Sequence, residues 1–287
     1  MTIAQALEKS FKILSQKKIN SARLDAEVLL AFILKTSREK VLTHLEKKIS
    51  TQQIKKFQLL IERRAKYEPI AYLIGYKFFY GLPIKVSSKT LIPRPETEQL
   101  IDLVIDYIKD KNLKNSEIKI IDIGTGSGCI SLAFKKLLPQ AKIYGLESST
   151  EALNLARQNS KNLNLSVIFK KSNLLTSFKE DLNNFIVVAN LPYLDKKEIK
   201  NFSIEIKRGL SYEPTKALFA GYHGLMVYKN LFKQLNKRLE LPQAIFIEIN
   251  SNYWYDFFKL AKQYFSIAKI DVIKDLCGKK RFIKIIL

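Results

Sequence analysis

The sequence predicts an α/β protein in which a small helical bundle and a β-hairpin linker precede a mostly parallel sheet. Residues 1 to about 75 carry apolar side chains at helical spacing, with no glycine or proline before Pro69. From about residue 117 onward, short apolar runs alternate with helical patterns, which is typical of a parallel sheet covered on both faces. We therefore expect a helical domain at 1–75, a linker at 76–93 and a sheet domain at 94–287.

The first helix of the bundle places Ile3, Leu7, Phe11 and Leu14 on one face. Apolar residues recur at the same spacing in the segments 24–32 and 54–61. These segments predict four or five helices, each with one face toward a shared core.

The linker begins where aromatic and β-branched residues replace the helical pattern. Residues 76–86 enclose Gly81–Pro83, which is typical of a β-hairpin. The stretch Leu91-Ile-Pro-Arg-Pro-Glu-Thr-Glu98 then makes a rigid approach into a helix whose first turn is acidic.

The sheet domain is predicted to hold five parallel strands and two further strands in its tail. The first five are expected at 118–123, 142–147, 166–170, 185–189 and 244–249. Helices are expected near 129–138, 149–161, 222–239 and 252–263. Phe265–Ile273 and Arg281–Leu287 predict an antiparallel pair that closes the sheet edge.

Cysteine and histidine content excludes several classes of protein. Cys129 and Cys277 are too few for a disulfide framework or a cysteine zinc site, and His44 and His223 are too few for a histidine-rich metal centre. No apolar run approaches the roughly 20 residues that span a bilayer. The N-terminus lacks the order of regions found in signal peptides, so we expect a cytoplasmic protein without a metal or a membrane partner.

The charge is unusual, with 49 basic against 27 acidic residues and a net charge of +22 among 287 residues. Such a surface attracts nucleic acid or acidic proteins. Most of the basic residues are lysines spread over nearly every segment, so a compositional bias explains the charge equally well. The charge alone therefore does not identify the substrate.

A glycine-rich loop, Asp122-Ile-Gly124-Thr-Gly126-Ser-Gly128, follows a predicted strand and opens a predicted helix. Its glycines let the backbone turn sharply and approach a ligand closely. Glu147 stands 19 residues beyond Gly128, where the next strand should end and an acid can hold a ribose diol. A glycine turn without a ligand is the alternative, but the strand, loop, helix and acid together favour a nucleoside cofactor.

The spacing of this loop distinguishes between cofactors. Dinucleotide sites use G-x-G-x-x-G, whereas this loop reads G-x-G-x-G and closely follows an aspartate. It resembles motif I of the S-adenosylmethionine-dependent methyltransferases. That resemblance favours S-adenosyl-L-methionine over NAD.

A second motif, Asn190-Leu191-Pro192-Tyr193, follows the predicted strand 185–189 directly. It lies where open α/β sheets place their ligands, although a simple turn would use similar residues. It resembles the [DN]-P-P-[YFW] signature of methyltransferases that modify planar nitrogens. Such a nitrogen is a poor nucleophile, and accepting its N–H hydrogen bonds on Asn190 and on a backbone carbonyl would favour the transition state. Pro192 would stiffen this loop and Tyr193 would lie flat against the planar group, so Asn190, Pro192 and Tyr193 are the catalytic candidates.

Further segments make nearly the whole chain resemble the peptide chain release factor glutamine methyltransferases, the PrmC/HemK family. They are Glu68-Pro-Ile-Ala-Tyr-Leu-Ile-Gly75, Leu91–Glu98 and the ending Asp275-Leu-Cys-Gly-Lys-Lys-Arg-Phe282. The resemblance implies a Rossmann-like class I methyltransferase sheet. It also implies methyl transfer from S-adenosyl-L-methionine to the glutamine of a Gly-Gly-Gln motif, with the helical domain helping to grip the release factor.

The resemblance also assigns roles to individual residues. Gly124, Thr125, Gly126, Ser127 and Gly128 would hold S-adenosyl-L-methionine, and Glu147 would bind its ribose. Asn173 and Leu174 would contact the adenine. Asn190, Leu191, Pro192 and Tyr193 would bind the substrate glutamine, with Asn190 facing both ligands. Five positions depart from the family pattern: Leu191 replaces a proline, Glu147 and Asn173 each an aspartate, His223 an acid and Asn250 a glycine.

Two other functions stay open at this point. An adenine N6-methyltransferase of RNA or DNA would agree with the Leu191 variant and with the charge, and it should concentrate basic residues around Asn190. A binding protein that retains the fold without catalysis would not need an intact glycine loop and Asn190. The sequence does not give the oligomeric state or the number of release factors that are methylated.

Overall fold

The computed structural model describes residues 1–195, 197–219, 221 and 224–287. His223, one of the departures from the family pattern, lies outside the described residues. The helices are α1 (Ile3–Gln16), α2 (Ala22–Leu34), α3 (Arg38–Thr43), α4 (Thr51–Arg64), α5 (Ile70–Ile74), α6 (Glu98–Asp110), α7 (Cys129–Leu137), α8 (Thr150–Leu163), α9 (Ile204–Leu210), α10 (Thr215–Leu218), α11 (Leu225–Leu235) and α12 (Trp254–Tyr264). The strands are β1 (Tyr76–Phe79), β2 (Leu82–Lys85), β3 (Lys119–Ile123), β4 (Lys142–Glu147), β5 (Ile168–Lys171), β6 (Phe185–Ala189), β7 (Ala244–Glu248), β8 (Lys269–Lys274) and β9 (Lys280–Ile286).

The chain divides into two compact units, and the first contains Met1–Tyr76 together with Asn201–Glu213. Helices α1 to α5 pack around a core that includes Leu14, Leu29, Val41 and Phe57. Side-chain caps begin α1, α3 and α4, where hydroxyls of Thr2, Ser37 and Ser50 accept backbone N–H groups. These caps satisfy donors that the first turn of a helix leaves free.

Helix α9 belongs to this first unit, although the sequence analysis had placed residues 201–213 in the domain 94–287. The reason is a buried ionic cluster on α4. Arg64 Nε donates to Asp25 Oδ2 at 2.7 Å, and Arg64 Nη2 donates to Glu205 Oε1 at 2.5 Å. Glu205 Oε2 also accepts the backbone N–H of Asn20. Because a buried arginine needs such acceptors, the cluster holds α9 within the helical unit.

The second unit, Lys77–Lys200 with Pro214–Leu287, is built on one seven-stranded sheet. The strand order is β5-β4-β3-β6-β7-β9-β8. Strands β3 to β7 are parallel, and β9 pairs antiparallel with both β7 and β8. The predicted α/β class, with a mostly parallel sheet and an antiparallel edge pair, is confirmed.

The hairpin of β1 and β2 turns through Tyr80 and Gly81, which both have positive φ values, of 51° and 70°. Positive φ at both positions is the requirement of the tight type I′ turn. The hairpin prediction for residues 76–86 is therefore confirmed.

Two predicted elements differ from the structure by more than two residues at an end. The strand predicted at Phe265–Ile273 begins only at Lys269. Phe265 caps the end of α12 instead, since its N–H donates to the carbonyl of Ala261. The helix predicted near 222–239 is described as α11, Leu225–Leu235. Among the described residues, no helix is long and apolar enough to cross a membrane.

Candidate active site

One cavity of about 720 Å³ opens at the carboxyl edge of the sheet, where β3, β4, β5 and β6 end. Parallel strands deliver their following loops to the same edge, and ligands of open α/β sheets bind there. The cavity wall includes the predicted residues Gly124, Gly126, Glu147, Asn173, Leu174, Asn190, Leu191 and Pro192. The volume lies within the range of roughly 300–1,000 Å³ that is usual for small-molecule sites.

The glycine-rich loop is shaped by positive φ values at Gly124, Gly126 and Gly128. A Cβ on Gly124 would lie 2.7 Å from Leu191 Cδ2, so the two loops meet only because residue 124 has no side chain. Thr125 and Ser127 are buried beneath the loop rather than on the cavity wall.

Asp122 anchors the loop from below. Its Oδ2 accepts the hydroxyl of Thr125 at 2.6 Å and both the hydroxyl and the N–H of Ser131. Its Oδ1 is a buried oxygen without a hydrogen bond from the described residues. Burial raises the pKa of the Asp122 carboxyl to about 6.

Glu147 ends β4 and faces both the glycine loop and the start of α8. Its Oε2 accepts the N–H of Gly126 at 3.0 Å, and its Oε1 accepts the N–H of Ser149 at 2.9 Å. Oε1 also accepts the hydroxyl of Ser148 at 3.3 Å. A carboxylate has about four acceptor positions, so the open position is on Oε2. Glu147 is thus held in place and able to accept a hydrogen bond from a diol through Oε2.

Asn190 follows β6 and has a fixed amide orientation. Its Nδ2 donates to Thr97 Oγ1 and to Glu248 Oε2, each at 2.9 Å. An amide nitrogen carries two hydrogens, and these two acceptors take both of them. The carbonyl oxygen Oδ1 is therefore the atom that Asn190 can offer to a ligand in the cavity.

Glu248, which the sequence analysis missed, lies at the centre of this arrangement and is fully buried. Its Oε2 also accepts the Thr97 hydroxyl at 2.7 Å, and burial raises the pKa of its carboxyl. A signal was present in the sequence, since Glu248 is a charged residue that ends an apolar strand. Ile247 pairs with Ala189, so the next residues of the two parallel strands, Glu248 and Asn190, are neighbours.

Tyr193 does not belong to the cavity wall. Its hydroxyl donates to Glu248 Oε1 at 2.8 Å, and its ring packs against the main core of the second unit. Burial and the nearby Glu248 carboxylate raise the pKa of the Tyr193 hydroxyl well above its usual value. In this structure the Tyr193 hydroxyl ties the loop to Glu248, and contact of its ring with a planar group stays a prediction.

Two further side chains hold the loop that contains Asn190. Tyr228 of α11 accepts the N–H of Leu191 at 3.0 Å and donates to the carbonyl of Glu248. Asn250, the departure from the family's glycine, donates to the carbonyl of Tyr193 and to Glu198. A proline at position 191 would lack the N–H that donates to Tyr228. This hydrogen bond of Leu191 therefore compensates for the missing proline ring.

The charges on the cavity wall bear on the two kinds of substrate. The described wall carries Lys89 and Lys216 as basic residues and Glu147 and Glu151 as acidic ones. Lysines are thus matched by acids instead of concentrated around Asn190, which disfavours the nucleic-acid alternative. Within the described part of the chain, no group of three or more metal-ligating side chains is found.

Two family models match the chain. The PrmC N-terminal domain matches residues 5–75, and the methyltransferase small domain matches residues 103–213. Proteins named release factor glutamine methyltransferase are similar over nearly the full length. The one from Rhodopirellula baltica is 32% identical, covering 98% of this chain and 95% of its own. The one from Thermodesulfovibrio yellowstonii is 35% identical (96% of each chain), and that from Buchnera aphidicola subsp. Schizaphis graminum is 36% identical (98% of each).

Solved structures confirm the fold. The N-terminal domain of human METTL16 in complex with SAH superposes with a TM-score of 0.54 at 14% identity, covering 89% of this chain and 93% of that one. A methyltransferase from Pyrococcus furiosus gives a TM-score of 0.50 at 18% identity, covering 78% of this chain and 97% of that one. At these identities the likeness concerns the fold alone.

Proposed function

The chain belongs to the release factor glutamine methyltransferase family, and on this premise we propose that it methylates a peptide chain release factor. The methyl group would pass from S-adenosyl-L-methionine to the side-chain amide nitrogen, N5, of the glutamine in the Gly-Gly-Gln motif. The sulfur–methyl bond would break to leave S-adenosyl-L-homocysteine, and the methylated nitrogen would lose one proton to solvent. The observation that carries this proposal is the amide of Asn190, whose nitrogen is committed to Thr97 and Glu248.

The cavity suits S-adenosyl-L-methionine as the methyl donor. We assign the ribose to Glu147, whose Oε2 retains an acceptor position, and the adenine to Asn173 and Leu174, which follow β5. The loop at Gly124 and Gly126 lets the backbone approach the rest of the cofactor closely. The bound cofactor supplies an electrophilic methyl group on a sulfonium, and the assignment requires no metal.

The chain's own residues orient the acceptor. Asn190 Oδ1 accepts one N–H of the substrate amide, and a backbone carbonyl of the Asn190–Tyr193 loop accepts the other. These hydrogen bonds draw the lone pair of the nitrogen out of conjugation and aim it at the methyl group, so their effect is largest in the transition state. Leu191 and Pro192 add apolar surface to the wall beside Asn190.

The direct test supplies radiolabelled S-adenosyl-L-methionine to the purified protein with a bacterial release factor. A factor with the Gly-Gly-Gln glutamine changed to alanine and total RNA serve as parallel acceptors. We expect label on the intact factor only, and loss of label with Asn190→Ala. Asn154→Ala, an exposed asparagine on α8, is the matched control and should label normally. Label on RNA without label on protein would reject the proposal in favour of adenine methylation.

We also propose that the helical unit recognises the body of the release factor. The match of residues 5–75 to the PrmC N-terminal domain supports this role. A short Gly-Gly-Gln peptide would reach the cavity without that contact, so it should show a higher KM than the full factor at a similar kcat. Equal KM values for peptide and factor would contradict the role.

A further inference from the structure

The side-chain amide of asparagine has nearly the same shape in either of its two flipped orientations. Its neighbours therefore decide whether the oxygen or the nitrogen faces the cavity. This choice matters for Asn190, because only the oxygen can accept an N–H from an amide or amine substrate. The neighbours on the far side of Asn190 are Thr97 and Glu248.

Both neighbours present lone pairs to Asn190. The single hydroxyl hydrogen of Thr97 is donated to Glu248 Oε2 at 2.7 Å, so Thr97 Oγ1 meets Asn190 as an acceptor. Glu248 Oε2 meets Asn190 as an acceptor as well. Reversing the amide would place its oxygen against two acceptors and lose two hydrogen bonds in a buried environment.

Glu248 is itself held by groups that leave it little freedom. It is fully buried at the end of β7, and its second oxygen, Oε1, accepts the hydroxyl of Tyr193 at 2.8 Å. Its backbone carbonyl accepts the Tyr228 hydroxyl. The Glu248 carboxylate thus accepts hydrogen bonds from both ends of the loop, from Asn190 and from Tyr193.

We propose that Glu248 is a positioning residue that locks the Asn190 amide with Oδ1 toward the cavity, and so restricts methyl acceptors to those that donate an N–H. The inference rests on the proposed function and extends it, since it gives a role to a fully buried acid that does not line the cavity. Thr97 transmits the same constraint as the second acceptor of the lock.

The test reverses the direction of the hydrogen bond between residues 190 and 248 while keeping the shape of both side chains. Asn190→Asp sets two carboxylates against each other and should lower kcat by about 100-fold or more. In the double variant Asn190→Asp/Glu248→Gln, the new amide donates to the new carboxylate, whose other oxygen again faces the cavity. We expect kcat of the double variant to recover roughly tenfold over Asn190→Asp, with the KM for S-adenosyl-L-methionine unchanged.

The single variant Glu248→Gln should lower kcat about tenfold, the effect of weakening one hydrogen bond, because its amide can hold Asn190 in either orientation. Glu240→Gln, at an exposed position of the same unit, is the matched control and should match the wild type. All rates are normalised to the folded fraction measured by circular dichroism. If the double variant is no faster than Asn190→Asp, the lock is refuted.

The rates are measured on whichever acceptor the wild-type protein labels. If the proposed substrate is wrong, the wild type labels a different acceptor. If the role of Glu248 is wrong, the double variant does not recover activity. A second readout needs no acceptor. In the wild type, the side-chain NH₂ of Asn190, assigned in NMR spectra by its absence in Asn190→Asp, should exchange slowly with solvent. It should exchange faster in Glu248→Gln, and unchanged exchange would overturn the proposal.

Discussion

Replacing Gly224 with alanine would push directly on the loop that carries Asn190. Gly224 precedes α11 with a φ of +72°, and a Cβ there would lie 2.2 Å from the carbonyl oxygen of Tyr193. Unstrained carbon–oxygen contacts are about 3.3 Å or longer, so the loop has to move by about 1 Å. The nearest atoms are backbone atoms of Tyr193, which cannot rotate away as the end of a side chain would.

The variant should lose both stability and activity. A non-glycine residue at positive φ costs about 1–2 kcal/mol, and the overpacked contact adds about 1–3 kcal/mol. A displacement of about 1 Å at the reacting groups lowers kcat by about 100-fold. Stability is measured by urea unfolding followed by circular dichroism, kcat by methyl transfer to a release factor, and cofactor affinity by calorimetry.

Gly278→Ala separates the cost of a non-glycine residue at positive φ from the effect of displacing the loop. Gly278 has a φ of +80°, but nothing lies within 4 Å of the position of its Cβ. This control should lose about 1–2 kcal/mol through the backbone alone and keep the wild-type kcat. The reasoning is refuted if Gly224→Ala keeps the wild-type kcat, or if both variants lose it equally.

Three further predictions concern stability and are checked by urea unfolding. Arg64→Met should destabilise the protein by about 3–5 kcal/mol because it leaves buried carboxylates unpaired. The control Arg63→Met replaces an arginine whose side chain is half exposed and should cost at most about 1 kcal/mol. Similar losses in the two variants would argue against the buried cluster. Gly145→Ala would place a Cβ 2.5 Å from the ring of Phe169 and cost about 1–3 kcal/mol, and adding Phe169→Leu should return part of that loss. Between pH 3.8 and about 6, folded Asp122 keeps a proton that the unfolded chain has lost. The free energy of unfolding of the wild type should therefore fall, relative to Asp122→Asn, as the pH rises through this window, and parallel pH profiles would contradict the assignment.

Local patterns were sufficient to predict the sheet. Strands β3, β4, β6 and β7 are short, mostly apolar runs that are almost wholly buried. A helical pattern or a long loop separates each parallel strand from the next. These signals depend on neighbours in sequence and so need no knowledge of the tertiary structure. The placement of α9 did not follow from them, because it depends on Arg64, more than a hundred residues away.

The candidate site divides in the same way. The glycine loop, Glu147 and Asn190 were predicted because strand ends at one edge of a parallel sheet bring such residues together. Thr97, Tyr228 and Glu248 were missed, since their roles arise from hydrogen bonds between distant segments. The motif predicted Asn190, which lies on the cavity wall, and only the structure identified the residues that hold its side chain.

The buried ionic cluster has a consequence for how the chain folds during its synthesis. Asp25 and Arg64 leave the ribosome early, but Glu205 emerges 141 residues after Arg64, roughly 7–28 s later at typical elongation rates. Until then, Arg64 in the nascent helical unit has Asp25 as its carboxylate partner but lacks Glu205. A nascent chain stalled before residue 205 should therefore be cleaved faster by protease at α4 than one stalled after residue 213 has left the exit tunnel.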